Sequence, residues 1–242
     1  MDNALKERLK AELKHLYRNL LEHTKEYCEG KTICPFVMQW GKDFPTAAND
    51  GIMFVGRATN GWLTDDGDVD NLFEGDKRIF DLPDQMVWVK EKEGAPDWNA
   101  NQSAFWRVVR GVARNFYPDD ELNHIAWSNL CKLAPNGGNP CDKLYNLQLI
   151  DACDILNKEV EILSPKFVVL LTNFNWADGF ISGLNGNEEP VASQVVAMKD
   201  WADYTANVYK IGERYVILTE HPQGKGDQEH IDCLTNLIKK FS

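Results

Sequence analysis

The sequence predicts an α/β fold: a three-layer α/β/α sandwich around a four-stranded, mainly parallel sheet. Two observations carry this expectation. Four short, nearly continuous apolar runs stand at 52–55, 124–128, 167–171 and 215–219, the pattern of strands buried on both faces. Amphipathic segments of helical period lie between them, as crossovers between parallel strands require.

Taken in order, residues 2–27 predict a helix, because Leu5, Leu9, Leu13, Leu16 and Leu20 recur at helical spacing among Lys, Arg and Glu. Residues 28–50 carry Gly, Pro and Asn and predict an irregular connector. Ile52-Met53-Phe54-Val55 is the first strand and stops at Gly56. An insertion with short helices follows at 62–102, rich in Asp, Gly and Pro. Residues 103–116 form a helix with Phe105, Val108, Val109, Val112 and Phe116 on one face. A second helix, 143–163, does the same with Leu144, Leu147, Ile155 and Leu163. A second insertion spans 173–212, and its end, Asn207-Val208-Tyr209, pairs with Tyr215-Val216-Ile217 across a turn at Gly212. The last helix, 228–241, turns Ile231, Leu234, Leu237 and Phe241 inward. The whole chain, 1–242, is expected to be one domain with elaborations.

Composition narrows the function classes. Hydrophobic residues at 43 % and charged residues at 26 % are ordinary globular values, which excludes intrinsic disorder. No stretch approaches the roughly 18 consecutive apolar residues of a membrane span, so no membrane partner is expected. Met1 to Glu12 alternates charge with leucine, unlike a signal or transit peptide. Six cysteines without a secretion signal point to reduced thiols and a cytoplasmic setting. With 37 acidic and 26 basic side chains the net charge is −11, and that field opposes gripping duplex DNA through many phosphates.

Ligands of an open parallel sheet bind beyond the carboxyl ends of its strands. The informative residues are therefore those that follow each run. They are Gly56-Arg57-Ala58-Thr59-Asn60-Gly61-Trp62, Ser128-Asn129-Leu130-Cys131-Lys132, Thr172-Asn173, and Glu220-His221-Pro222-Gln223-Gly224-Lys225-Gly226. Glycines let backbone N–H groups approach a ligand. An Asn at a neighbouring strand end offers one acceptor and two donors, enough for the edge of a planar amide. A pocket for a flat, polar ligand follows. Other chemistries lack their residues: no Walker pattern, no dinucleotide fingerprint and no Gly-x-Ser-x-Gly elbow occurs.

A strand ending in Gly-x-Ala-x-x-Gly (56–61), a second ending in Asn129, a third preceded by Pro165-Lys166 and a fourth ending in His221-Pro222 resemble, in that order, the uracil-DNA glycosylase superfamily. The likeness runs from about Ile52 to the end of the chain. Ser128-Asn129-Leu130-Cys131-Lys132 with Pro135, Asn136 and Asn139-Pro140, and Ala152-Cys153-Asp154 leading to Pro165-Lys166, are similar to the iron–sulfur-bearing branch. Phe105-Trp106-Arg107 is similar to the Phe-Trp pair of the mismatch-specific branch. The resemblance implies flipping a uracil from DNA and breaking its N-glycosidic bond. Asn129 would bind the uracil edge, and His221 would donate to the charge developing on its carbonyl. The loop of Gly56, Arg57, Ala58, Thr59, Asn60, Gly61 and Trp62 would hold sugar and water, with Trp62 or Phe73 stacking on the base.

The departures from that family shape the remaining expectations. Arg57 and Ala58 stand where an acid or Asn orients the water, leaving Asn60, two positions on, as the catalytic substitute beside His221. Leu133 stands at one cluster-ligand position, and Cys28 and Cys34 are spaced C-x5-C, so neither an iron–sulfur cluster nor any other cofactor or metal is expected. The His-Pro loop has no apolar wedge, and Arg57, Lys132 and Lys225 are its nearby cations. The expected partner is a nucleobase-containing substrate, with unpaired DNA or a small substrate favoured over duplex because flipping a base out of a duplex costs a few kcal/mol. The alternative from a different class is a binding module of this fold that keeps the nucleobase pocket without catalysis.

Overall fold

A computed structural model describes residues 3–45, 50–59, 61–62, 67–74, 85–183 and 189–242. The elements are α1 (Asn3–Cys28), β1 (Ile33–Pro35), β2 (Gln39–Trp40), β3 (Ile52–Gly56), α2 (Val69–Glu74), α3 (Val87–Glu91), α4 (Ala104–Arg114), β4 (Ile125–Asn129), β5 (Leu133–Pro135), α5 (Asp142–Leu163), β6 (Phe167–Leu171), α6 (Phe174–Gly183), β7 (Ala192–Val196), β8 (Tyr204–Ile211), β9 (Arg214–Thr219) and α7 (Asp227–Phe241). The fold is α/β with a mixed sheet. Its order is β2-β4-β3-β6-β9-β8-β7, and the four central strands, β4, β3, β6 and β9, are parallel. These are the four apolar runs.

Seven strands replace the expected four. The three additional strands are antiparallel and lie outside the central four: β2 on β4, and β8 and β7 beyond β9. The β2 strand is two residues long, and β7 alternates exposed and partly covered side chains, so neither has an apolar run to announce it. The hairpin expected at 207–217 is the β8–β9 ladder, with Val208 opposite Ile217. Within the expected connector, Ile33–Pro35 pairs with Leu133–Pro135 as a two-stranded ribbon.

Alternation along the strands divides the core. Met53 and Val55 of β3 pack with Leu9, Leu13, Tyr17 and Leu20 of α1 and with Ile155 and Leu156 of α5. Ile52 and Phe54 face the other way, into Val108, Val109 and Val112 of α4 and Leu234 and Leu237 of α7. Helices therefore cover both faces. On α5 the buried stripe runs through Leu144, Gln148, Ala152, Ile155 and Val160, and Leu147, expected in it, falls off the stripe at 40 % exposure.

A charged cluster is sealed inside. Lys132, wholly buried, donates from Nζ to Ser128 Oγ at 2.7 Å and to both oxygens of Glu159 at 2.8 and 2.9 Å. Ser128 Oγ donates to Glu159 at 2.6 Å. Lys132 thus points under the sheet end, not into a cleft as expected. Burial pushes the lysine's pKa down and the glutamate's up, while their attraction opposes both shifts. Removing one partner strands a buried charge, whereas replacing both with apolar groups does not. Lys132→Met is therefore expected to cost about 3–5 kcal/mol in urea unfolding. The double variant Lys132→Met/Glu159→Leu should recover most of that loss; equal destabilisation by both would contradict the account.

Candidate functional site

The ends of β3 and β4 meet side by side, with Gly56 opposite Asn129 in the ladder. A Cβ on Gly56 would lie 2.5 Å from Asn129 Oδ1 and 3.3 Å from Phe105 Cε2. Only glycine leaves room there, and an amide and an aromatic edge converge on that room. Asn129 is 1 % exposed, yet its Nδ2 finds no hydrogen-bond partner among the described residues. The following backbones are tied together, Leu130 N donating to Gly56 O at 2.9 Å and Cys131 N to Arg57 O at 2.8 Å.

The rest of the first loop divides. Thr59 is buried with Oγ1 unpartnered among the described residues, and Ala58 is half-buried. Gly61 sits in the left-handed region at φ +83°, where an added Cβ would meet Asn136 Oδ1 at 2.9 Å. Asn60 lies outside the described residues. Trp62 is half-buried against Phe36, Trp88 and Trp127, with ring centroids 5.1–5.4 Å away. Phe73 is a core residue, edge-on to Tyr17, and is closed to any ligand. Among the described residues, Phe105 is an aromatic side chain that does stand against Gly56. The sequence signal was the Phe105-Trp106 pair, which carried no stacking role in the expectation.

A second network joins β6 and β9. Arg57 donates from Nε to Thr172 O at 2.8 Å and from a terminal nitrogen to Asn173 Oδ1. Asn173 holds a left-handed backbone, φ 70°, which Asn tolerates better than most residues. Its Oδ1 also accepts from His221 N at 3.1 Å, and its Nδ2 donates to Glu220. Lys225 Nζ donates to His221 O at 3.0 Å and lies 3.6 Å from Glu220. Its side chain is only 7 % exposed. Arg57 and Lys225 are thus held by protein groups around His221, and Asn173, a strand-end residue assigned no role from the sequence, is the hub.

His221 itself is half-buried. Its Nδ1 accepts from Gln223 N at 3.2 Å, which leaves the ring proton on Nε2. Burial, followed by the positive charges of Arg57, Lys225 and His230, pushes its pKa down to about 4. The ring is neutral at neutral pH and offers one N–H donor. Asn129, the Gly56 loop and His221 all follow the carboxyl ends of the parallel strands, on one edge of the sheet.

The cysteines form no cluster with one another at this edge, although Cys131 follows β4 and its N–H donates to Arg57 O. All six are free; burial pushes the thiols of Cys131, Cys153 and Cys233 up to about 12. Leu133 is bracketed by Gln148, which accepts from its N–H at 2.8 Å and donates to its carbonyl at 2.9 Å. Among the described residues no group of three or more His, Cys, Asp or Glu side chains is arranged to hold a metal ion. A cavity of about 390 Å³ opens between the last turns of α1 and the β1–β5 ribbon, lined by Cys28, Ile33 and Leu133, and it contains none of the strand-end residues. No described helix is long and apolar enough to cross a membrane.

No protein-family model and no curated protein sequence matches this chain.

The state of His221 is directly testable. A histidine whose folded pKa lies below its unfolded value adds stability that is present above pH 6.5 and is lost as pH falls toward 4. In an NMR titration the His221 ring is expected to stay neutral from pH 8 down to about 5, and Lys225→Met should raise its pKa. A midpoint at 6.5 or above in the unmodified protein would contradict the placement.

Proposed function

We propose that this protein is a uracil-DNA glycosylase-like N-glycosylase that releases a nucleobase from an unpaired strand. The observation that carries the reading is the convergence of Asn129 and Phe105 on the space above Gly56. A flat ring lying beyond these two side chains, at the strand end, would stack on Phe105 while the Asn129 amide meets its edge, accepting from N3–H of uracil and donating to O4. Cytosine presents an acceptor and a donor at those places and is refused. The unpartnered Nδ2 of Asn129 gains its hydrogen bond only when the base is present, so base binding relieves a buried orphan donor that costs about 1–3 kcal/mol.

His221 supplies the second half of the chemistry. As the N1–C1′ bond lengthens, its electron pair moves onto the base and charge grows on the carbonyl oxygens. A neutral imidazole donating from Nε2 stabilises that charge without binding the uncharged base as strongly. Water then adds to C1′, the sugar keeps the hydroxyl, and the remaining proton leaves for solvent or the departing base. The candidate for orienting that water is Asn60.

One observation favours the second reading, a base-binding module without catalysis. Arg57 occupies the loop position of the water-orienting group and is committed to Thr172 O and Asn173. The neighbouring carboxylate, Glu220, is engaged by Asn173 and Lys225.

Matched single- and double-stranded oligonucleotides bearing one uracil separate the readings. Base release is expected, faster from the single strand. His221→Ala should lower the rate by about 10²–10³-fold. Gly56→Ala should abolish base binding while leaving the fold intact, since its Cβ displaces the Asn129 amide. Faster release from duplex would refute the preference for unpaired DNA. Uracil bound without release would establish the binding module, and neither binding nor release would sink both.

A further inference from the structure

The loop that carries His221 has a neighbour that the base site does not use. Trp201 lies between β7 and β8, in a turn closed by Met198 N donating to Asp203 Oδ1 at 3.0 Å. Its ring stands against the His221 loop on one side. A Cβ at Gly224 would lie 3.9 Å from Trp201 Cζ3, and Lys225 Nζ is 4.9 Å from the ring centroid. Lys225 in turn donates to His221 O. The indole is thus backed by a lysine that is itself tied to the backbone of His221, and 53 % of the residue remains exposed.

An exposed tryptophan held in one place by a cation and a closed turn is a prepared stacking surface. Its position beside His221 says what would lie on it. Because β4 and β9 end on the same edge of the sheet, the chain neighbour of a base engaged by Asn129 and Phe105 would pass the His221 loop. In a duplex that neighbour is already stacked on its own strand and paired with the other, so the indole offers it little. In a single strand the neighbour's face is free. Stacking is also the source of nucleic-acid affinity least affected by a net charge of −11, because it needs no phosphate contact.

We propose that Trp201, backed by Lys225, is a stacking subsite for the nucleotide next to the engaged base in single-stranded nucleic acid. This rests on the base-binding reading of the strand-end site and adds to it the residue that selects an unpaired strand.

The test measures affinity for a short fluorescent oligothymidylate carrying one uracil, single-stranded and annealed to its complement. The unmodified protein, Trp201→Ala and Trp201→Phe are compared, each checked for folding by its thermal transition. Trp201→Ala is expected to weaken single-strand binding about tenfold or more, and Trp201→Phe by no more than about threefold, because a flat ring remains. Duplex binding should change by less than about twofold. Equal single-strand affinities for all three proteins, or no binding by the unmodified protein, would overturn the subsite. So would a sedimentation change showing that Trp201 holds a second copy of the chain. The two readings fail separately: a Trp201 dependence without base release leaves the subsite standing and removes the glycosylase, and base release with no Trp201 dependence does the reverse.

Discussion

Gly56 and Asn129 face each other across the β3–β4 ladder, and the missing side chain of the first lets the amide of the second lie over the strand end. Everything proposed for this edge depends on that close approach. It is held from below by the Lys132–Glu159–Ser128 group, which anchors both ends of the segment bearing Asn129 to helix α5. A buried ion pair is an expensive way to gain stability, since apolar residues of similar volume commonly do as well. Its value here is positional: it fixes Ser128 and Lys132 on either side of Asn129. The amide proposed to meet a base then has little freedom to turn toward other partners.

The other half of the edge is organised by charge. Arg57, Asn173, Glu220 and Lys225 form one continuous network that joins the ends of β3, β6 and β9. Its cations serve His221 by opposing a third positive charge, and burial acts in the same direction. A protonated imidazole would bind an anionic leaving group more tightly, but it would also need to be created and desolvated beside two cations. The neutral ring avoids that cost. Its one donor is aimed by the Gln223 N–H, which occupies the opposite nitrogen.

The parallel core was legible in the sequence because each central strand is buried on both faces and therefore spells a continuous apolar run. Parallel pairing put the four run ends on one edge, so the strand-end residues could be named without a structure. What could not be named falls into three kinds. Short or half-exposed strands, β2 and β7, have no run to detect. Residues whose role depends on long-range packing looked the same as any others: Lys132 as a cation facing the cleft, Phe73 as a free aromatic, Leu147 as part of a buried stripe. Finally, Phe105 and Trp201 reach the site from α4 and from the β7–β8 turn. Nothing local to those segments marks them as neighbours of Gly56 or His221, because their proximity is made by the fold.

The distribution of charge also bears on how base release could proceed here. A glycosidic bond breaks with negative charge growing on the base and positive charge on the sugar. Carboxylates near the sugar help that process, and cations near the base help it too. On this edge His221 offers one N–H donor, while the carboxylate of its chain neighbour Glu220 is tied to Asn173 and Lys225. Arg57 adds a positive charge beside the first loop, partly offset by Glu220. At 4 Å two unit charges interact by about 4 kcal/mol for a partly screened pair, so a sugar cation formed next to Arg57 would be opposed unless the substrate's own phosphates lie close by. A polynucleotide brings those phosphates; a free nucleoside does not. Under the proposed reading the arrangement would favour a strand over a nucleoside for an electrostatic reason separate from stacking, and would place the catalytic effort on the leaving base.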